Sequence, residues 1–196
     1  MPVSWDWLLG LAVGIVLVIT QSDGIAADPY VYSLIDKIVN FLRSIPFIIL
    51  LAVMFPITEF IVHTTVGTTA ALVPLVVGIF PFYARQVQNA LLEIDPQVIE
   101  AARSMGSGTI EIIFRIYLRE GLPDLIRASV VTIISLIGLT TMAGAIGSGG
   151  LGDIAISIGY ARFENDITVA AMLVILILVF LVQIIGDWLA KKTVHL

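Results

Sequence analysis

Cysteine is absent from the 196 residues, so neither a disulfide nor a thiolate ligand or nucleophile is available. Histidine is almost absent. His63 and His195 are the only two, far apart in sequence, and no metal site is expected of them. Charge is scarce, at 13 % of residues against roughly 25 % in an average soluble domain. Basic residues are scarcer still, 10 Lys and Arg against 15 Asp and Glu, for a net charge of −5. Contact with phosphates needs a basic face, so a nucleic-acid partner is not expected. What the chain has instead is apolar: 59 % hydrophobic residues and a mean hydropathy of +1.05. So few polar groups cannot cover so apolar a surface, which excludes a soluble globular domain and a disordered chain. The length points to a single domain, residues 1–196.

A membrane-spanning helix needs about 20 apolar residues, with a range of roughly 17–25. Five segments are candidates, at 7–20, 44–62, 68–85, 128–146 and 167–189. The fold class expected is an all-α membrane bundle of five spans. The second carries Pro46 and Pro56, the third Pro74 and Pro81. Neighbouring helices can satisfy the carbonyls that proline frees. The first is short, and reads as a reduced first helix or an interfacial segment. Nothing basic precedes it, which speaks against a signal peptide.

Basic residues set the orientation. Lys37 and Arg43 follow the first segment. Arg85, Arg103, Arg115, Arg119 and Arg127 lie in or beside the stretch between the third and fourth. Lys191 and Lys192 follow the fifth, and only Arg162 falls on the other side. The N-terminus is therefore expected outside and the C-terminus in the cytoplasm. Trp5, Trp7 and Trp188 are expected at span ends, where amphipathic rings sit.

From about 87 to 123 the chain turns polar on the cytoplasmic side. Asp95 suits an N-cap and Pro96 a first helical position. Val98, Ala101, Ala102 and Met105 then recur at helical spacing, and Gly106, Ser107 and Gly108 end the helix. A second helix begins near Thr109, with Ile110, Ile113, Phe114 and Tyr117 on one face. This helix–glycine–helix segment is either a membrane-surface hairpin capping the bundle or a docking element whose alanines admit a partner closely.

Glu100, Ala101 and Ala102, then Gly106, Ile116 and Leu118 resemble the EAA loop of ABC-importer permeases. Arg43 to Phe47 (RSIPF), Asn89 to Ile94 (NALLEI) and Gly149 to Gly152 (GGLG) extend the resemblance to methionine-importer permeases. It runs from about residue 8 to the end. It implies five spans per subunit and a homodimer in a bacterial inner membrane. It implies two copies of a cytoplasmic ATPase seated on the EAA loops, and an extracytoplasmic substrate-binding lipoprotein. Two features depart from the pattern. Arg119 stands where the family's loop has proline, with Pro123 four residues on as a candidate end of the second loop helix. The family's first span is also fuller than 7–20.

The residues themselves are consistent with a subunit that does no chemistry and needs no cofactor. No G-x-x-x-x-G-K-[ST] run is present. The glycine-rich stretch Gly144 to Gly152 contains no lysine and reads as close packing and a tight turn. Glu93, Asp95 and Glu100 read as solvated, capping or partner-facing. A passage is sought in the fourth span, where Thr132, Ser135, Leu139 and Met142 step along one face. Its hydroxyls could line a weakly binding path, or simply bond their own helix. Glu59 and Asp187 lie near span ends, which disfavours an ion-coupled secondary transporter. A permease for another small solute and a purely structural subunit are the remaining alternatives.

Overall fold

The computed structural model describes residues 3–193, with side chains from residue 7 onward except those of 145 and 146. His195, Leu196 and the Trp5 side chain lie outside the described residues. The described chain is helical, with no strand. Its elements are α1 (Val3–Thr20), α2 (Pro29–Ser44), α3 (Phe47–Val53), α4 (Phe55–Val62) and α5 (Thr68–Leu92), followed by α6 (Pro96–Ser104) and α7 (Thr109–Ile112). A π-helical turn, Ile113–Tyr117, joins α7 to α8 (Leu118–Glu120). Then come α9 (Leu122–Ala143), a second π turn (Gly144–Ser148), α10 (Gly150–Asp153), a third π turn (Ile154–Tyr160) and α11 (Asn165–Thr193).

Three helices are long and apolar enough to cross a membrane: α5, α9 and α11. The third expected span continues as helix through Leu92, with both prolines buried inside it. The fourth begins earlier than expected, at Leu122, with Pro123 in its first turn. Pro123 therefore opens α9 and does not close the preceding loop helix. The second expected span is not one helix. Pro56 has no N–H to bond the Ala52 carbonyl, and Met54 stands between α3 and α4 with its own N–H on Ala52 and Leu50.

The short first segment is packed, not interfacial. Leu17 and Val18 are fully buried, and Trp7 meets Tyr83 edge to face with ring centroids 4.4 Å apart. The reason is a Gly10-x-x-x-Gly14 pair. A Cβ at Gly10 would stand 2.6 Å from the Tyr83 ring, and one at Gly14 only 2.7 Å from the Ala84 carbonyl oxygen. Small residues let the two backbones approach closely, so α1 lies parallel to α5 along its C-terminal half. Trp7 opens the apolar stretch Trp7–Thr20 and takes part in this packing. Trp188 is 60 % exposed, with the Lys192 ammonium 5.4 Å from its ring.

Helix α2 fills a stretch that the apolar runs leave blank. Asp28 caps it through bonds from the Tyr30 and Val31 N–H groups, and Pro29 opens it. Arg85 of α5 ties it down. The Arg85 guanidinium lies 2.6 Å from the Asp36 carboxylate and also donates to Asn40 at 3.0 Å and Gln88 at 2.5 Å.

The glycine-rich stretch is a packed turn. Gly147, Gly149 and Gly150 take positive φ, which L side chains rarely adopt. A Cβ at Gly152 would meet the Thr141 carbonyl oxygen at 2.2 Å. The chain beyond it, 150–160, forms a short helical arm. There Gly159 packs against Thr168 of α11, and the Thr168 hydroxyl donates to the Ala155 carbonyl at 3.1 Å.

Candidate functional site

The polar stretch divides differently from its sequence outline. Residues 87–92 belong to α5, and Val87, Gln88, Ala90 and Leu91 are buried there. Asp95 does cap α6, its carboxylate accepting from the Gln97 N–H at 2.9 Å, with Pro96 first in the helix. Gly106 ends α6 at φ +86°. The Gly106 N–H reaches the Arg103 carbonyl and the Ser107 N–H that of Ala102. These two bonds close a Schellman turn that needs a left-handed residue.

The two alanines part company. Ala102 is 4 % exposed and belongs to the main core cluster with Val18, Val87, Leu91, Ile112 and Tyr117. It faces this chain's own bundle and not a partner. Ala101 and Glu100 are exposed, as are Val98 and Met105, the latter at 80 %. Within α6 the Ser104 hydroxyl donates to the Glu100 carbonyl at 3.0 Å.

The second loop helix is seated in the same way. The π turn at 113–117 rotates the chain past a normal helical repeat. Ile112 and Tyr117 become buried, and Ile113, Ile116 and Leu118 pack against the core. Ile110 and Phe114 are left outside, 73 % and 65 % exposed. The expected face of Ile110, Ile113, Phe114 and Tyr117 is therefore split between inside and outside. Ile116 and Leu118 anchor the loop to the bundle. Arg119 is exposed, and the chain turns at the buried Gly121 instead of at a proline. A Cβ at Gly121 would stand 2.5 Å from the Tyr117 carbonyl oxygen.

Arg103 donates to the Gly24 carbonyl at 3.4 Å, so the α1–α2 connection lies on the same side as the loop. Burial pushes the Tyr117 hydroxyl above its ordinary pKa, and the positive charge of Arg103 pulls it partly back.

The expected passage residues are brought together in part. Ser135, Leu139 and Met142 line one open cleft of about 490 Å³, with Arg43, Phe47 and Phe82 among its other walls. Thr132 is not among them. It is fully buried beside Trp7 and Tyr83 on a smaller cavity of about 150 Å³. Its hydroxyl donates to the Ala128 carbonyl at 2.7 Å, and the Ser135 hydroxyl to Val131 at 2.9 Å. Both hydroxyl protons are thus held by their own helix. Among the described residues no group of three or more His, Cys, Asp or Glu could hold a metal ion.

A bundle of apolar helices with a helix–turn–helix seated on one end is the architecture of a transport-system membrane component. The chain belongs to the family of binding-protein-dependent transport system inner membrane components, whose model matches residues 9–195. It is 38 % identical over 187 residues to the probable D-methionine transport system permease protein MetI of Vibrio cholerae, covering 95 % of this chain and 83 % of that protein. It is 49 % identical over 171 residues to the methionine import system permease protein MetP of Bacillus subtilis, covering 87 % and 77 %. The solved inward-facing MetNI methionine ABC transporter matches with a TM-score of 0.93 at 43 % identity, over 96 % of this chain and 87 % of that one.

Proposed function

We propose that this chain is the permease subunit of an ATP-driven ABC importer, passing methionine or a related small amino acid across a bacterial inner membrane. The observation that carries the reading is the two-faced loop from Glu93 to Glu120. One face is fused to the core through Ala102, Ile112 and Tyr117. The other leaves Val98, Met105, Ile110 and Phe114 exposed.

Exposed apolar surface on a loop beyond the bundle suits a protein partner, here a separate ATPase in two copies under a homodimer of this chain. An extracytoplasmic binding lipoprotein would deliver the substrate. The coupling role falls to Glu100, Ala101 and Gly106. Ala101 lies on the outer surface, and Gly106 shapes the turn. Ala102, Ile116 and Leu118 transmit, because they bind the loop to the ends of α5 and α9. Those two helices carry Phe82, Ser135, Leu139 and Met142 into the cleft. A pull on the loop would therefore move the walls of the proposed path. The chain supplies no hydrolysis of its own in this reading.

Five passes are proposed: α1, the bent α3–α4 pair, α5, α9 and α11. The apolar part of α1, Trp7–Thr20, rises about 21 Å, so α1 is proposed as a reduced pass of the roughly 30 Å hydrocarbon core. The Arg103–Gly24 bond supports a common side for the α1–α2 connection and the loop. Nine basic residues lie on that side. A reporter fused after Leu196 is expected to read cytoplasmic, and one inserted at Glu164 external. An external C-terminus would contradict the orientation and the placement of the loop.

A further inference from the structure

The cleft that holds Ser135, Leu139 and Met142 has one charged wall, Arg43 at the end of α2. Its neighbour Arg85 is fully engaged, bonded to Asp36, Asn40 and Gln88. Arg43 has no carboxylate within ion-pair distance among the described residues. Its guanidinium carbon stands 6.0 Å from the centre of the Phe82 ring. Among the described residues Asp36 pairs with Arg85 alone, so the Arg43 guanidinium leaves a net positive charge beside the cleft. Burial, and then the nearby Arg85 charge, lowers the Arg43 pKa, though arginine stays protonated at neutral pH.

We propose that Arg43 takes the carboxylate of the amino acid in transit through this cleft. The inference rests on the importer reading above and identifies the group in its path that recognises the substrate. A planar guanidinium matches a carboxylate with two parallel bonds. The Ser135 hydroxyl donates to the Val131 carbonyl, which leaves its oxygen to accept from the substrate's ammonium group. Phe47, Leu139 and Met142 offer an apolar wall with a polarisable thioether to the side chain. The cleft's volume of about 490 Å³ falls within the roughly 300–1,000 Å³ of small-molecule sites. One cation in an open cleft binds weakly enough to release its passenger, as transport requires.

The test uses the whole complex of permease, ATPase and binding lipoprotein in phosphatidylcholine vesicles, with L-methionine as the probe. Arg43→Gln is expected to cut uptake about tenfold or more, the worth of one charge-assisted bond. Arg43→Lys should fall between wild type and Arg43→Gln, because it keeps the charge and loses the two-bond fork. Equal uptake by wild type and Arg43→Gln would overturn the proposal. So would a defect that appears only in vesicles containing phosphatidylglycerol, because the guanidinium would then be holding a lipid headgroup. A second measurement leaves Arg43 in place and so covers an Arg43→Gln complex that fails to assemble. This chain has no cysteine, so Met142→Cys places a single thiol in the cleft. An anionic methanethiosulfonate reagent should modify it roughly threefold or more faster than a cationic one, drawn by the local charge. Equal rates would overturn the proposal. A wild-type complex that imports no amino acid would overturn the importer reading itself.

Discussion

An aspartate in place of Ala101 is expected to strip the ATPase from the complex while leaving the membrane subunit folded and dimeric. Ala101 is exposed, so the carboxylate meets water in the free subunit and costs its fold little. Against a fitted groove the same side chain has no room and no designed partner. Overpacking of a fitted contact costs about 1–3 kcal/mol, and leaving a charge desolvated adds to it. Two copies of the helix in a homodimer double the effect, and each 1.4 kcal/mol is about tenfold in affinity. Co-purification of the ATPase with each variant reads the result. Gln97→Ala, one turn before Ala101 on the same exposed face, adds neither bulk nor charge and should change little. Ala102→Asp should fail differently, by losing the folded subunit, because it buries a carboxylate in the core cluster. Full ATPase association with Ala101→Asp would make the loop a membrane-surface cap and not a coupling element.

Removing Arg85 is expected to release α2 from α5. The Arg85 and Asp36 side chains are only 16 % and 26 % exposed, and Gln88 is buried at 3 %. Arg85→Ala would leave the Asp36 carboxylate with only its bond from the Asn40 amide at 3.0 Å and would take the Arg85 donor from the Gln88 and Asn40 side-chain carbonyls. Exposed pairs contribute roughly 0–1 kcal/mol, and breaking a buried pair costs roughly 3–5 kcal/mol. A half-buried network should lie between, on the order of 2 kcal/mol. Asp36→Asn should cost less, since Arg85 keeps its bonds to Asn40 and Gln88. The check is the thermal midpoint of the detergent-solubilised subunit, with protease cleavage between residues 21 and 44 as the local readout. Wild-type midpoints and protection for Arg85→Ala would show that α2 is held by its apolar contacts alone.

Helix signals that depend on one or two residues could be read from the sequence. Asp95 and Pro96 open α6 and Gly106 closes it, because capping and left-handed φ are local demands. The three long apolar helices were equally plain, since hydropathy over 20 residues outweighs two prolines. What escaped depends on neighbours. Gln88 looks like the start of a polar loop, yet Arg85 bonds it and α5 runs on to Leu92. Helix α2 mixes Asp36, Lys37 and Asn40 with apolar residues, so a search for unbroken apolar runs passes over it. Gly10 and Gly14 carried the one local sign that α1 is packed. Ala101 and Ala102 differ by about 100° around a helix, so spacing alone could not say which faces outward. A π turn at 113–117 split the face of the second loop helix for a similar reason. Thr132 and Ser135 lie about 60° apart around α9, and they line separate cavities.

The decisive measurement is ATP-dependent uptake by the reconstituted complex. Purified chain, its ATPase and its binding lipoprotein would be placed in one vesicle preparation with labelled L-methionine outside and ATP within. Accumulation should require all three components and hydrolysable ATP, and should persist when proton and sodium gradients are collapsed. Uptake that proceeds without the ATPase and stops when an ion gradient is collapsed would contradict the importer reading and make the chain a secondary transporter.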